Sequence, residues 1–396
     1  MKDSVNIHTV ITKKLLVPFL ISVISFFGVT SYTVFAQSAN KPLHSPLDYY
    51  QGHPPFHVNR LPSQTNNTVS GLTPVQIRAV YNLPSGGTGT IAIIDAYDDP
   101  SVLNDLKTFS SNFNLPILQT CTGATQSQCF EKHTMARRVQ ANSGWALEES
   151  LDTQWAHAIA PNAHILLVEA KSASGTDLLN AVNYARNRSD VVAISMSWGS
   201  NEFSGENAYD TSFISPYHAS FFASSGDSGA GVQWPAVSSN VIGVGGTTLH
   251  LLNGQFSSET AWSGSGGGLS NYESEPSYQV AYGVPQANGF RAVPDVSFDA
   301  DPASGVAVYD STSYQGQSGW FQVGGTSLGA PSWAAIRSLS TSATAAKFYQ
   351  DAAGVSYGTY FRDIISGSNG SCGFYCNAVV NYDYVTGLGS PITTSF

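Results

Sequence analysis

One serine stands on a glycine-rich turn that could expose its hydroxyl for nucleophilic chemistry. Ser327 lies in the run GGTSLGAP at 324–331, where two glycines precede it and Pro331 can begin a helix. The positive end of that helix would favour negative charge that develops beside the hydroxyl. The alternative is that Ser327 only caps the helix, because serine is a common N-cap residue.

A serine nucleophile needs a base, and the histidines do not supply one in a familiar arrangement. The segment around Ser327 spells G-x-S-x-G, but an α/β-hydrolase would need a later histidine and the last one is His250. A subtilisin would need a histidine in a His-Gly-Thr-His context, which none of the nine histidines has. The run GDSG at 226–229 resembles the chymotrypsin signature, but it follows an apolar strand in an alternating α/β pattern.

Two carboxylates could replace the histidine as the base. Glu148 and Asp152 are four residues apart, so on a helix they share one face, beside an apolar face formed by Leu147, Leu151 and Trp155. Like charges at this spacing favour a shared proton, and such a pair can act as a general base in acid, where a histidine would be protonated. The alternative for these two residues alone is a solvated acidic face.

The segments between these residues alternate in their hydrophobic pattern. Short apolar runs occur at 91–94, 165–168, 191–195, 220–224 and 241–244, and helical spacing occurs at 100–106, 147–160 and 177–185. Continuous apolar strands between helices predict a doubly wound, mostly parallel α/β sheet with helices on both faces. In such a sheet, a site is expected beyond the carboxyl ends of the strands.

Three motifs taken together resemble the sedolisin family, the serine-carboxyl peptidases with a subtilisin-like fold. They are E-x-x-L-D at 148–152, S-S-G-D at 224–227 and G-T-S-x-x-x-P at 325–331, in a similarity that extends from about Leu72 to the C-terminus. The resemblance implies an endopeptidase that acts on proteins in acid, with Ser327 as nucleophile, Glu148 as general base and Asp152 orienting Glu148. Asp227 would serve the oxyanion hole, where a carboxyl can donate a hydrogen bond only while it is protonated.

The same resemblance gives roles to neighbouring residues. Asp95, at the end of the first strand, would be a supporting acid linked to Glu148, and Ser197, Trp198 and Gly199 would form an edge of the substrate cleft. Two other functions stay open. One is a catalytically silent secreted binding protein on this fold, and the other is an ordinary subtilisin-like protease whose activity does not depend on Glu148.

A structural calcium site near the C-terminus is also implied by the resemblance. Its ligands would be the side chains of Asp363 and Asp383 and the backbone oxygens of Ile364, Val379 and Asn381. Calcium is a hard cation that takes carboxylate and carbonyl oxygens. The family pattern has glycines at the last two of these carbonyl positions, so this loop departs from it. The alternative is that the two aspartates only cap turns.

The four cysteines form two pairs that are close in sequence. Disulfides Cys121–Cys129 and Cys372–Cys376 are favoured among the three connectivities, because short loops close easily and the space outside the cell is oxidising. A zinc site would be the alternative, and it would require the two pairs to meet in space.

The N-terminus has the pattern of a secretory signal peptide. Lys13 and Lys14 precede an apolar run that ends near Phe27, and Ala36 offers a small residue at a cleavage site. We therefore expect a signal peptide at 1–36, an arm or short pro-segment at 37–71, and one peptidase domain at 72–396. A membrane anchor is the alternative for the apolar run. The segment before Leu72 leaves no room for the long folded propeptide that is typical of sedolisins.

The composition limits the partners. Charged residues make up 11% of the chain and the net charge is -10, which argues against nucleic acid, since a phosphate-binding surface needs concentrated Lys and Arg. We expect a secreted, extracellular monomer that acts on proteins or peptides and has no membrane attachment after signal cleavage.

Overall fold

The computed structural model describes residues 45–62, 68–122, 128–340 and 342–396. The predicted signal peptide lies outside the described residues. The described residues belong to one compact unit. Among the described residues, no helix is both long enough and apolar enough to cross a membrane.

The helices include the ones that the sequence pattern predicts around the candidate site. The α-helices of the described residues are α1 (Pro46–Tyr49), α2 (Pro74–Val80), α3 (Val102–Asn112), α4 (Ser143–Ile159), α5 (Gly175–Arg186), α6 (Ser277–Tyr282), α7 (Thr326–Leu339), α8 (Ala345–Ala352) and α9 (Tyr357–Tyr360). Short 3₁₀ segments occur at Glu206–Phe213, Pro302–Ser304, Gly354–Ser356 and Gly373–Cys376.

The strands include every apolar run that was predicted as one. The strands of the described residues are β1 (His57–Arg60), β2 (Thr90–Ala96), β3 (Gln119–Thr120), β4 (Cys129–Thr134), β5 (His164–Ala170), β6 (Val191–Met196), β7 (Ser200–Asn201), β8 (Ser220–Ser224), β9 (Gln233–Trp234), β10 (Ile242–Leu252), β11 (Gln255–Ala261), β12 (Gly268–Ser274), β13 (Phe290–Val293), β14 (Val296–Asp299), β15 (Val306–Tyr314), β16 (Gln317–Gly324), β17 (Phe361–Arg362) and β18 (Ser390–Pro391).

The central sheet is mostly parallel, as predicted. Its strand order is β11-β10-β8-β6-β2-β5-β4-β3, with β14 beside β10. Each of these pairs is parallel except β10 with β11. Outside this sheet, β15 and β16 form an antiparallel hairpin. Strand β1 pairs with the other edge of β16, also in antiparallel register.

Helices cover both faces of the sheet. In β2, Ile91 and Ile93 join one hydrophobic core, whereas Ala92 and Ile94 join the other. This alternation arises because successive side chains of a strand point to opposite faces, and both faces must be apolar when both are covered. Helices α4 and α7 pack against the sheet on the first face, and α5 packs on the second.

Helix α4 runs through the interior, which the sequence pattern only partly indicates. Its side chains are buried all round from Trp145 to Ile159. The helix packs against α3, α7, β2 and β15, so it has no solvated side. The alternative of a solvated acidic face at Glu148 and Asp152 is therefore wrong, because both carboxyls are fully buried.

Both predicted disulfides are present. Cys121 bonds to Cys129 and Cys372 bonds to Cys376, with Cα–Cα distances of 5.0 and 5.2 Å. The alternative of one shared zinc site is therefore wrong. His164 lies against the first disulfide, with its Nε2 atom 3.3 Å from the Cys121 sulfur.

Candidate active site

Two of the predicted site residues, Glu148 and Asp152, lie one turn apart on α4. Asn142 caps this helix by accepting hydrogen bonds from the backbone N–H groups of Gly144 and Trp145. Burial raises the pKa of Glu148 and of Asp152 well above their usual values, and the nearby Asp95 carboxyl raises both further. The pair therefore retains one proton between its two carboxyls at pH values where exposed carboxyls have lost theirs.

Ser327 is the second residue of α7 and is also fully buried. Its hydroxyl and that of Ser197 oppose the effect of burial and lower the pKa of Glu148, so both hydroxyls lie beside this carboxyl. Yet Ser327 Oγ and the Glu148 oxygens do not meet the distance and angle of a hydrogen bond. Ser327 and its predicted base are thus adjacent without a hydrogen bond between them, and such contacts are often long in a structure without substrate.

Asp227 follows β8 and faces the turn that leads into α7. Its Oδ1 atom accepts hydrogen bonds from the backbone N–H of Thr326 at 2.8 Å and from the Thr326 hydroxyl at 2.7 Å. Burial raises the pKa of Asp227 to about 7 even though these donors lower it. Below that pH the acid proton belongs on Oδ2, because Oδ1 is already an acceptor. Asp227 can therefore donate a hydrogen bond to an anion.

Gly325 makes this arrangement possible. Its backbone has φ +127°, and a Cβ atom would lie 2.5 Å from Asp227 Oδ2 and 2.3 Å from the carbonyl oxygen of Pro55. Only glycine tolerates both this conformation and this closeness. The turn therefore brings the Asp227 carboxyl and the start of α7 together.

A group of buried charged residues lies near Glu148 and Asp152, and of this group only Asp95 was predicted from the sequence. Asp95 on β2 lies opposite Glu169 on β5. Glu149 is buried in the same region, and Glu169 and Asp95 raise its pKa further. The Lys132 ammonium lies 2.6 Å from Glu169. The signal for Glu169 is a charged residue at the end of an apolar strand, at the same level as Asp95.

The three residues predicted at the cleft edge have different surroundings. Ser197 donates a hydrogen bond from its hydroxyl to the Ser327 carbonyl oxygen at 3.1 Å. The Trp198 indole is fully buried and donates to the Ile94 carbonyl oxygen at 3.0 Å. Gly199 forms part of the wall of a 420 Å³ cavity that also contains Asp227. A second cavity, of 610 Å³, lies between α2 and the C-terminus and contains none of these acids.

Part of the N-terminal arm crosses this cleft, and we call residues 50–57 the cleft segment. The Gly52 N–H donates to the Ala173 carbonyl oxygen at 2.8 Å. His53 and Gly199 exchange both backbone hydrogen bonds, at 3.0 and 3.1 Å, as neighbouring antiparallel strands do. The cleft segment therefore adds an extended strand to the cleft edge.

The same segment then reaches Ser327. The Ser327 N–H donates to the Pro55 carbonyl oxygen at 3.2 Å. Two residues later, His57 Nε2 lies 3.5 Å from Asp227 Oδ2, and the chain continues into β1 beside β16. The cleft segment thus follows the path of an extended peptide, with the Pro55 carbonyl group at the Ser327 N–H. This contact was not predictable from the sequence, because it is made mostly by backbone groups.

The predicted calcium segment offers a free carboxylate oxygen. Asp363 Oδ2 accepts a hydrogen bond from the Asn381 N–H at 3.0 Å, while Asp363 Oδ1 is buried and has no partner in the described part of the chain. Asp383 Oδ1 accepts the N–H groups of Val385 and Thr386, both at 2.8 Å, as a turn-capping carboxylate does. The residues therefore fit a hard cation at Asp363, and Asp383 also has a structural role in its turn.

Comparisons with known proteins agree with this geometry. The Subtilase family model (Peptidase_S8) matches residues 140–353. Sedolisin from Pseudomonas sp. (strain 101) is 31% identical over 82% of this chain and 60% of its own length. Xanthomonalisin from Xanthomonas sp. (strain T-22) is 28% identical over 83% of this chain and 46% of its own length. The chain thus spans about half to three fifths of the length of these relatives.

A solved structure of Pseudomonas sedolisin, a serine-carboxyl proteinase in complex with two molecules of pseudo-iodotyrostatin, superposes with a TM-score of 0.67. It is 31% identical, over 82% of this chain and 96% of the sedolisin chain. The parallel sheet and the serine at the start of α7 define a protein of the subtilase class, so the predicted subtilisin-like fold is confirmed. Within that class, the chain belongs to the sedolisin family of serine-carboxyl peptidases.

Proposed function

We propose that this protein is an endopeptidase that hydrolyses proteins in acid through an acyl-enzyme on Ser327. The proposal rests on one observation. The Ser327 hydroxyl is buried at the carboxyl edge of the sheet together with the carboxyls of Glu148, Asp152 and Asp227. A buried carboxyl with a raised pKa is a better base than an exposed one, and a protonated carboxyl is a donor.

In the acylation step, Ser327 Oγ attacks the carbonyl carbon of the scissile bond and its proton passes to Glu148. Asp152 holds the pair at one negative charge by sharing a proton with Glu148. The carbonyl oxygen becomes an oxyanion that accepts hydrogen bonds from the Asp227 carboxyl and from the Ser327 N–H. When the intermediate collapses, the C–N bond breaks and Glu148 returns the proton to the leaving amine.

Deacylation repeats these steps with water in place of Ser327. Glu148 takes a proton from the attacking water, and the acyl carbon again passes through an oxyanion beside Asp227. Collapse breaks the ester bond, releases the carboxylic acid and returns the proton to Ser327 Oγ. Glu148 and Asp227 therefore have the same roles in both halves of the reaction.

The position of the cleft segment supports a peptide substrate. Its antiparallel exchange of hydrogen bonds with Gly199 is how extended peptides bind to an exposed strand edge. The carbonyl of Pro55 at the Ser327 N–H corresponds to the carbonyl of a scissile bond. Substrate must therefore displace the cleft segment before it can be hydrolysed.

Secretion and calcium binding belong to the proposal as well. The basic and apolar pattern of residues 1–36 and the two disulfides are typical of an exported protein. Asp363 and Asp383, with carbonyl oxygens of Ile364, Val379 and Asn381, would hold calcium, which would brace the C-terminal loop. We expect the secreted enzyme to act as a monomer.

The first experiment compares Ser327→Ala with Ser332→Ala. Both serines are buried on α7, but Ser332 donates its hydroxyl proton to the Leu328 carbonyl oxygen, away from the acids. Ser327→Ala should abolish hydrolysis of an unfolded protein substrate at about pH 4, and Ser332→Ala should retain it. Undiminished hydrolysis by Ser327→Ala would make the assignment of the nucleophile wrong, and an inactive wild type would favour a silent binding protein.

The second experiment separates the proposal from an ordinary subtilisin. Glu148→Gln keeps the shape of the side chain and removes the base, so activity should fall by about 10²-fold or more. Glu131→Gln is the control, because Glu131 is a partly exposed partner of Arg188, 2.7 Å from its Nη1 atom. A neutral or alkaline activity optimum that Glu148→Gln leaves unchanged would favour the subtilisin mechanism instead.

A further inference from the structure

Three buried carboxyls form a second acidic cluster that the proposed reaction does not use. Asp99 lies between β2 and α3, Asp105 lies on α3, and Asp310 lies on β15. One carboxylate oxygen from each lies within 4.8 Å of one from each of the others. Two of these residues are fully buried and Asp105 is 2% exposed.

Two oxygens of this cluster have no partner. Asp99 Oδ1 accepts hydrogen bonds from the Ser101 N–H at 2.8 Å and the Thr312 hydroxyl at 3.1 Å. Asp310 Oδ1 accepts the Thr312 N–H at 2.7 Å. The Oδ2 atoms of Asp99 and Asp310 are buried and have no hydrogen-bond donor among the described residues. Burial of an unpaired carboxylate oxygen is unfavourable in free energy. These two atoms therefore need a bound proton or a cation.

The positive charge beside the cluster is already engaged. The Lys132 ammonium donates to Asp98 at 2.6 Å and to the backbone carbonyl oxygen of Asp99 at 2.7 Å, and it also pairs with Glu169. On the other side, the N–H and hydroxyl of Ser311 donate to Asp105 Oδ2, both at 3.0 Å. None of these donors forms a hydrogen bond with Asp99 Oδ2 or Asp310 Oδ2.

We propose that Asp99, Asp105 and Asp310 bind a divalent cation, and that this cation is calcium. Carboxylates that bind one calcium ion at 2.3–2.6 Å can lie up to about 5 Å apart, which the cluster satisfies. An all-oxygen set without histidine or thiolate disfavours zinc, and magnesium demands a stricter octahedron and keeps more of its water. The site is separate from the C-terminal segment at Asp363.

The ion would connect two elements that support the catalytic helix. Helix α3 carries Asp105, strand β15 carries Asp310, and both elements pack against α4. A cation between them would neutralise three like charges and hold α3 against β15. Without one, burial and mutual repulsion favour protons on the cluster, and the pKa of Asp105 is raised to about 6 and that of Asp310 to about 8.

The test measures calcium binding by the purified full chain, after removal of metal, at about pH 7. Calorimetric titration with calcium chloride should show one site fewer in Asp310→Asn than in the wild type. Asp363→Asn is the matched variant, because it removes the C-terminal carboxylate and should leave the proposed site intact. Asp105→Asn should also lose one site, which guards against a folding defect peculiar to position 310.

Thermal unfolding gives a second measurement that does not depend on activity. In the Asp363→Asn variant, saturating calcium should raise the melting temperature by about 3–6 °C. This shift should vanish in the double variant that also carries Asp310→Asn. Equal calcium stoichiometry and equal shifts with and without Asp310→Asn would overturn the proposal, and the cluster would then be stabilised by shared protons. Neither result depends on whether Ser327 is the nucleophile.

Discussion

The pKa of Asp227 leads to a prediction that separates a proton donor from a charged carboxylate. Asp227 Oδ1 accepts two hydrogen bonds from Thr326, which leaves Oδ2 to carry the proton. In Asp227→Asn, the amide oxygen can accept the same two bonds and the NH₂ group takes the place of the protonated Oδ2. The amide is thus an isosteric donor that does not titrate.

The expected magnitudes follow from this geometry. Asp227→Ala removes the donor and should lower kcat by about 10²–10³-fold at about pH 4, which corresponds to about 2.7–4 kcal/mol. Asp227→Asn should stay within about 10-fold of the wild type there, because the donor remains. The folded pKa of about 7 means that wild-type Asp227 is protonated below that pH and loses its proton above it. Wild-type activity should therefore fall by up to about 10-fold per pH unit above the pKa.

The assay is kcat/KM on a fluorogenic peptide between about pH 3 and 9, which reports groups of the free enzyme. The wild type should lose activity with an apparent pKa near that of Asp227, and Asp227→Asn should lack this decline. The reasoning is refuted if Asp227→Asn is as inactive as Asp227→Ala at low pH. It is also refuted if both the wild type and Asp227→Asn decline with the same apparent pKa.

Three further predictions concern the arm, the pH dependence of stability and the turn before α7. Detaching the cleft segment should lower KM and leave kcat unchanged, since the segment competes with substrate; steady-state kinetics that show no change in KM would contradict this. The raised pKa values of Asp227, about 7, and of Glu206 and Glu273, about 8, mean that the folded state keeps protons that the unfolded chain releases. The melting temperature should therefore fall as the pH rises from about 4 to 8, and a constant or rising value in calorimetry would be inconsistent with this burial. Gly325→Ala should inactivate the enzyme while circular dichroism stays native, because its Cβ would meet Asp227 Oδ2 and the Pro55 carbonyl oxygen; an active variant would show that the turn can shift.

The residues around Ser327 were predictable because their positions follow from local rules. Apolar runs predicted the parallel strands, and the carboxyl ends of parallel strands meet at one edge, so the site was expected beyond that edge. The four-residue spacing of Glu148 and Asp152 placed them on one side of a helix. The roles of these residues came from the family resemblance, not from the spacing itself.

Other features depend on contacts between distant parts of the chain. Periodicity indicated an apolar face for α4, but its burial on every side results from packing against α3, α7 and β15. The acidic cluster joins Asp105 to Asp310, which are 205 residues apart in the sequence, and no local pattern relates them. The cleft segment binds mainly through backbone groups, which every sequence has.

The atom that carries the acyl group tests the central claim most directly. The enzyme is mixed with a slowly deacylated peptide ester at about pH 4, quenched in stronger acid and digested, and the fragments are analysed by mass spectrometry. The proposal predicts one acyl group per chain, on Ser327. An acyl group on another residue, or turnover of the ester with no covalent intermediate when deacylation is the slow step, would contradict it.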